Sequence, residues 1–393
     1  MSSTRQLFLQ HVAQTSDFPM ALEIERGEGN YLIDVHGKKY LDLISGIAVS
    51  NLGHSNPAIV HAVVEQAKTN MHTMVYGEYV LGPQVRLATK LTSLLPFNLS
   101  SVYFVNSGSE AVEGALKLVK RYTGKSKIIS FNNSYHGSSH GALSLGGSEE
   151  MRNAFRPLLP EIMRIDYNNF DQLTNIDGST AAVIMEPVQA EAGMILPAIK
   201  YVEKVRELCT KNNVLLIFDE IQTGFGRTGK LFAFEKFKVV PDVLLLGKAF
   251  GGGMPLGAFI SSNEIMGTLK NDPVLGHITT FGGHPVSCAA SLAALTILCE
   301  TNLIREVDEK SKLFVKHLST NKKIGEVRGE GLMLAIQLND FEQVQSVIKK
   351  CLEKGIILDW FLYNNSSIRI APPLTITEDE IRMVCGILNE IIS

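Results

Sequence analysis

Six short apolar runs punctuate the middle of this chain: SVYFVN, SKIISF, TAAVIMEP, NVLLIFDE, PDVLLLG and GAFISS, each bounded by turn residues and set among stretches of helical periodicity. Apolar runs of this length, without polar alternation, are strands buried on both faces, and their alternation with helices builds a mainly parallel sheet covered on both sides. The pattern predicts a large α/β domain over residues 57–285. Before it, NYLIDVHGKKYLDLISG reads as two strands around a His36-Gly37 turn, behind an extended or short helical arm, so 1–56 forms an arm and small β segment. After it, one long helical stretch, VSCAASLAALTILCETNLIREVDEKSKLFVKHL, leads into strand, helix, strand, helix. This predicts a smaller C-terminal α+β domain over 286–393, against which the N-terminal segment packs.

A chain of 393 residues exceeds what one hydrophobic core supports, which agrees with such a division. With 45% hydrophobic and 20% charged residues, it has the composition of a globular protein, not of a disordered or fibrous one. A formal charge of -3 gives no electrostatic reason for a nucleic-acid or anionic-membrane partner. The opening MSSTRQLFLQHVAQ holds no apolar stretch of secretory length, no later run approaches membrane-spanning length, and a cytoplasmic protein is expected. The five cysteines (Cys209, Cys288, Cys299, Cys351, Cys385) include no C-x-x-C pair, so buried, reduced thiols are expected and neither a disulfide framework nor a metal site.

In open α/β sheets ligands lie beyond the carboxyl ends of the strands. NVLLIFDE ends in Asp219 and Glu220; PDVLLLGKAFGGG places Lys248 just past the next run, before three glycines that admit close neighbours; TAAVIMEP ends in Glu186. Asp219 and Lys248 read equally as a structural ion pair. SVYFVNSGSEAVEGALKLVKRY adds a strand, a small polar loop and a helix, putting the amides of Ser107, Gly108 and Ser109 at a helix N-terminus. Such an end suits a phosphate, though an ordinary capped helix gives the same sequence. Together these are the parts pyridoxal phosphate needs: a lysine amine to hold it as an imine and then move a proton, a carboxylate to keep its ring nitrogen protonated, and a phosphate cup.

Over nearly its whole length the chain resembles the class III (ω-amino acid) aminotransferases of the fold-type I pyridoxal-phosphate superfamily. NSGSEA, YHG, EPVQAEAG, LLIFDEIQTGFGRTGKLFAFE, PDVLLLGKAFGGGMPLGA, TTFGGHP, VRGEGLM and IRIAPPL follow one another in that family's order. The resemblance implies a seven-stranded, mainly parallel sheet and assigns pyridoxal 5'-phosphate as cofactor. It implies that Lys248 is the imine lysine, Asp219 the ring-nitrogen partner, and Ser107, Gly108 and Ser109 the phosphate site. Tyr135 and Ile221 would cover the two ring faces, Gln222 would contact the ring hydroxyl, and His136 and Glu186 would line the pocket. Thr280 is similar to a residue that reaches the phosphate from a neighbouring subunit, which implies a homodimer with shared active sites.

Gly224-Phe225-Gly226-Arg227-Thr228-Gly229 fits G-x-G-x-x-G, the dinucleotide fingerprint, but it neither opens a helix directly after its strand nor has an acid ending the next one. His54 lies among turn residues without metal-ligand spacing and reads as structural. Cys288 and Cys299, on one helical stretch, read as core packing.

Substrate choice turns on carboxylate contacts, for which the planar fork of arginine is suited. By the resemblance, Arg369 grips the α-carboxylate of glutamate, and Glu191 neutralises it when a substrate without that group is bound; a fixed structural ion pair is the alternative. Acetylornithine, ornithine and 4-aminobutyrate enzymes typically read HGRT after the pocket tyrosine, whereas this chain reads His136-Gly137-Ser138-Ser139. A serine in place of that arginine gives up roughly 1.5 to 3 kcal/mol, about ten- to a hundredfold in binding. Arg152 and Arg156 follow closely and are candidates to replace it. Smaller departures are His284, Ala190 and Ala192. The leading expectation is an ω-amino acid donor of the acetylornithine or ornithine kind with 2-oxoglutarate as acceptor. Alternatives are an amine or diamine transaminase that needs no distal carboxylate contact, and an aminomutase.

Overall fold

The apolar runs assemble into one seven-stranded sheet. In a computed structural model that describes residues 3–393, its order is Ser101–Val105, Gly257–Ser261, Val243–Leu246, Leu215–Asp219, Thr180–Met185, Lys127–Phe131, Ile162–Ile165. All neighbours are parallel except Gly257–Ser261, which runs antiparallel to both of its own. Thr180–Met185 is buried at all six positions because the pleat feeds two separate cores. Val183 and Met185 point into one, with Tyr201 and Val205 of the helix Ile199–Lys211. Ala182 and Ile184 point into the other, with Ala111, Val112, Ala115 and Val119 of the helix Gly108–Thr123. The seventh strand, Ile162–Ile165, escapes the sequence reading: it is a four-residue edge strand interrupted by Arg164.

The long helical stretch after His284 is two helices, Pro285–Glu300 and Leu303–Leu318, bent by 72°. Thr301 is the breaking residue, extended at φ -110 and ψ 171, with its hydroxyl donating to the Ile297 carbonyl at 2.8 Å. Near that break Cys299 is exposed, contrary to the core role expected for it, because it lies on the outer side of the last turn while Leu298 beside it is buried; the other four thiols are buried. No single helix among the described residues is long and apolar enough to cross a membrane.

Beyond the helices, Glu326–Glu330, Met333–Gln337, Asn364–Ile370 and Asp359–Phe361 form an antiparallel sheet backed by Phe341–Glu353 and Glu378–Ile392. The N-terminal strands Ile24–Glu28, Tyr31–Asp34 and Lys39–Asp42 form a third sheet, completed by Ile356–Ile357 running parallel to Lys39–Asp42.

The segment that imitates a dinucleotide fingerprint is a tie between these units. No helix follows it until Phe234–Phe237. Arg227, fully buried, donates to the carbonyls of Leu332 and Pro372 and to Ser45 Oγ and Asn51 Oδ1. Truncation would leave several buried acceptors unpaired, each costing about 1 to 3 kcal/mol. Arg227→Ala should therefore lower stability by about 3 kcal/mol or more, measured as a shift in the urea midpoint of the first unfolding transition.

Candidate active site

Three strand ends of the large sheet and one helix start converge on a cavity of about 190 Å³. Leu215–Asp219 delivers Asp219, Val243–Leu246 runs into Lys248, Thr180–Met185 into Glu186, and Ser101–Val105 into the turn at Ser107. Ser107 caps the helix Gly108–Thr123, its hydroxyl accepting from Glu110 N at 3.2 Å, which leaves the amides of Gly108 and Ser109 at the positive end of that helix. Gly108 is small by necessity, since a Cβ there would stand 2.8 Å from Ile221 Cδ1. The loop through Tyr135, His136 and Gly137 lies over the same turn, with Ser138 N donating to Ser109 Oγ at 3.2 Å. Gly137 has φ +128, and a Cβ on it would collide with Ser109.

Asp219 is buried and held from two sides. His136 Nδ1 lies 2.7 Å from its Oδ2, and Ile221 N donates to its Oδ1 at 3.1 Å. Glu186 Oε1 accepts from Tyr135 N at 3.0 Å; burial, then the neighbouring charge of Asp219, raises its carboxyl well above the usual range. Lys248 adopts a left-handed backbone at φ +50, uncommon for a residue with a Cβ and typical of positions held by their function. Burial lowers its amine below the ordinary lysine value, against the pull of Glu191, Asp219 and Glu186. A neutral amine is thereby nearer to hand. Gln222 lines the cavity with a buried Oε1 that has no hydrogen-bond partner.

At the small-domain side, Arg369 is 1% exposed. Its Nη2 donates to Glu191 Oε2 at 2.7 Å, its guanidinium stacks over Phe361 at 4.8 Å, and its Nη1 is buried without a partner. Burial works against the charge of Glu191, yet Arg369 and Lys248 together hold its carboxyl below the usual range.

The sequence model of the class-III aminotransferases matches residues 12–392. The chain belongs to the class-III aminotransferases. It is 41% identical over 375 residues to the acetylornithine aminotransferase of Methanopyrus kandleri, covering 94% of each chain. It is 38% identical to that of Caldanaerobacter subterraneus, again covering 94% of each. Among solved structures, a transaminase from the marine bacterium Virgibacillus superposes with a TM-score of 0.93 at 29% identity, covering 99% of this chain and 98% of that one. The ornithine aminotransferase of Toxoplasma gondii superposes at 0.90 with 30% identity, covering 98% and 93%. The fold class read from the sequence is thus borne out, as is the assignment as a transaminase dependent on pyridoxal 5'-phosphate. The residues present fit that cofactor: a cavity-lining lysine, a buried carboxylate, a helix N-terminus and the orphaned oxygen of Gln222 stand around one space.

In this class-III aminotransferase, Ser107, Gly108, Ser109, Tyr135, His136, Glu186, Asp219, Ile221, Gln222 and Lys248 all line the cavity. Thr280 does not; it is exposed on the segment before the helix at Pro285. Ser138 sits at the rim, its hydroxyl 3.2 Å from that of Tyr135. Neither Arg152 nor Arg156 lines the cavity, and both pair with Glu149, at 2.7 and 2.5 Å. His54 lies 2.8 Å from Asp42. A larger cavity of about 350 Å³ around Asn51, His54, Met254 and Leu298 has no lysine or carboxylate in its wall. Sequence reasoning missed Asp359, whose Oδ1 lies 3.3 Å from Arg369 Nε, and Tyr363, whose ring is 6.4 Å from that of Tyr135. Both lie between the helical run and the strand that holds Arg369, a stretch to which no role is assigned from sequence, and cross-strand pairing with Arg369 brings Asp359 into place.

Proposed function

We propose that the enzyme moves an amino group from an ω-amino donor of the acetylornithine or ornithine kind to 2-oxoglutarate. The observation that carries this reading is the Glu191–Arg369 pair, 2.7 Å apart and buried beside the lysine cavity. A site serving two substrates in turn needs an arginine for the α-carboxylate of one and a means of silencing it for the other. Unpaired Nη1 leaves Arg369 a free donor for that role. The acetylornithine and ornithine aminotransferases among the similar proteins favour the same donor class.

When bound, pyridoxal phosphate supplies a carbonyl for the substrate amine and an electron sink for the carbanion. Lys248 Nζ, brought toward neutrality by burial, would take the proton from the substrate carbon and pass it to the cofactor side. Asp219, oriented by His136 and Ile221 N, gives the ring nitrogen its anionic partner. The Gly108 and Ser109 amides with the Ser107 hydroxyl would hold the phosphate, Tyr135 and Ile221 would cover the ring, Gln222 Oε1 would meet the ring hydroxyl, and Glu186 holds the loop through Tyr135 N. With a large domain over 57–285 and a small one over 286–393, Lys248 and Glu191 stand on the first and Arg369 on the second.

A homodimer follows from the same reading. Thr280 is exposed beside Val274, Leu275, Ile278 and Phe281, each at least 49% exposed, an apolar stretch suited to a second copy. Buried, unpaired thiols suit a reducing compartment, and we place the enzyme in the cytoplasm.

Ser138 supports a second reading, a carboxylate-free amine or diamine donor, because no arginine lines the cavity. Half-reactions with acetylornithine, ornithine and putrescine, followed by the absorbance of lysine-bound cofactor, separate the two; reaction with putrescine alone would remove the first. For Arg369→Ala, 2-oxoglutarate should bind about ten- to a hundredfold more weakly while the amine half-reaction changes little, as loss of a charge-assisted contact requires. Equal losses in both would contradict the switching role.

A further inference from the structure

Arg369 has two carboxylates, not one. On one side lies Glu191, on the loop after Glu186, its Oε2 accepting from Arg369 Nη2 at 2.7 Å and from Leu362 N at 3.1 Å. On the other lies Asp359, directly opposite Arg369 in the antiparallel ladder of Asp359–Phe361 with Asn364–Ile370, its Oδ1 3.3 Å from Nε. The two anions differ in how the backbone places them: Glu191 comes from irregular backbone, whereas the strand register sets Asp359 directly across from the arginine. Trp360, the next residue, accepts a weak bond at 3.4 Å from the same guanidinium, and Phe361 lies beneath it.

We propose that Asp359 is a positioning residue that sets substrate preference: a fixed second counter-ion keeps Arg369 partly neutralised when Glu191 withdraws, weakening carboxylate-bearing substrates relative to carboxylate-free amines. The inference rests on the reading of Arg369 as the carboxylate site. The physical argument is one of charge balance. With Glu191 in place, one cation faces two anions. After Glu191 leaves and a substrate carboxylate arrives, the count is the same, so the incoming group meets an arginine whose field is already partly spent. An arginine with a single switchable partner would present its whole charge. Asp359 thus lowers the advantage of 2-oxoglutarate and narrows the gap to amines such as a diamine, in the same direction as Ser138.

The charged and titratable groups around Asp359 are Arg369 on the paired strand, Glu191 on the loop, and Asp42 at the end of Lys39–Asp42, itself bonded to His54 at 2.8 Å. Although 23% of its side chain is open to solvent, burial pushes the Asp359 carboxyl up to about 6, against the pull of Arg369. Protonation removes the second counter-charge, so 2-oxoglutarate should bind more tightly as pH falls through about 6.

The test uses the full-length holoenzyme carrying Asp359→Asn, which keeps the shape and an oxygen acceptor while removing the charge. Half-reactions are measured with 2-oxoglutarate and with putrescine between pH 5.5 and 8. The dissociation constant for 2-oxoglutarate should fall about two- to tenfold, as for loss of one partly screened charge, and its pH dependence should flatten. Putrescine should change less than about twofold. Asp359→Glu, which keeps the charge, should retain the original ratio and pH dependence; Asp359→Ser serves in place of the asparagine variant if that protein does not fold. Equal shifts for both substrates, or none for 2-oxoglutarate, overturn the proposal. Indifference of 2-oxoglutarate binding to Arg369→Ala would instead remove the reading beneath it.

Discussion

Lys248→Ala should yield a folded protein that lacks the absorbance of lysine-bound cofactor and turns over at least about four orders of magnitude more slowly. Folding should survive because the Lys248 backbone sits at φ +50 whichever of the two residues occupies it, and the side chain is not in a buried ion pair that its removal would orphan. Function should not, because two tasks are lost together: anchoring the cofactor covalently and carrying a proton between the substrate carbon and the cofactor. General acid-base catalysis alone is worth about 10² to 10⁴, and no other amine lines the cavity. Circular dichroism should match the unaltered enzyme while the visible spectrum and single-turnover rate collapse. Retained turnover would remove Lys248 from the centre of the reaction.

For Asp219→Asn the expected loss is about 10² to 10⁴ in the rate of proton abstraction, with cofactor still bound. An asparagine oxygen can still accept from Ile221 N or face His136 Nδ1, so the geometry around the ring should persist. On the proposed role of Asp219, the substitution would remove the negative charge that keeps the ring nitrogen protonated, and with it most of the electron sink. A substrate-carbon deuterium isotope effect should rise or remain full as this step becomes limiting. A variant that reacts at the normal rate would show that the carboxylate serves only to orient His136.

These two residues were the most legible features of the chain, for a physical reason. A buried parallel strand is an unbroken apolar run, so the first polar residue after it is marked by contrast, and both Asp219 and Lys248 stand at such a boundary. The helix start at Ser107 was legible for the complementary reason that small polar residues precede a strong helical period. The strand Ile162–Ile165 was not, because an edge strand needs only one covered flank and tolerates Arg164. Nor was the break at Thr301, a residue with no helix-stopping signature of its own. Asp359 was invisible on different grounds: its meaning lies in a register, Asp359 opposite Arg369, and register is a property of the folded sheet. Arg227 shows the converse, part of a motif that fits the dinucleotide pattern but not its context, and it serves as a tie among Ser45, Asn51, Leu332 and Pro372.

The pairing of Lys39–Asp42 with Ile356–Ile357 has a consequence for synthesis. A chain leaves the ribosome from its N-terminus at about 5 to 20 residues per second, so the first strands emerge roughly 15 to 60 s before the partner that completes their sheet. For that interval a strand edge carrying Leu41 lies open to whatever strand it meets first, other nascent copies included. The segment from Ile356 onward therefore acts as the clasp of that sheet, and truncation from either end should show itself first as aggregation during expression, well before any defect in the chemistry at Lys248.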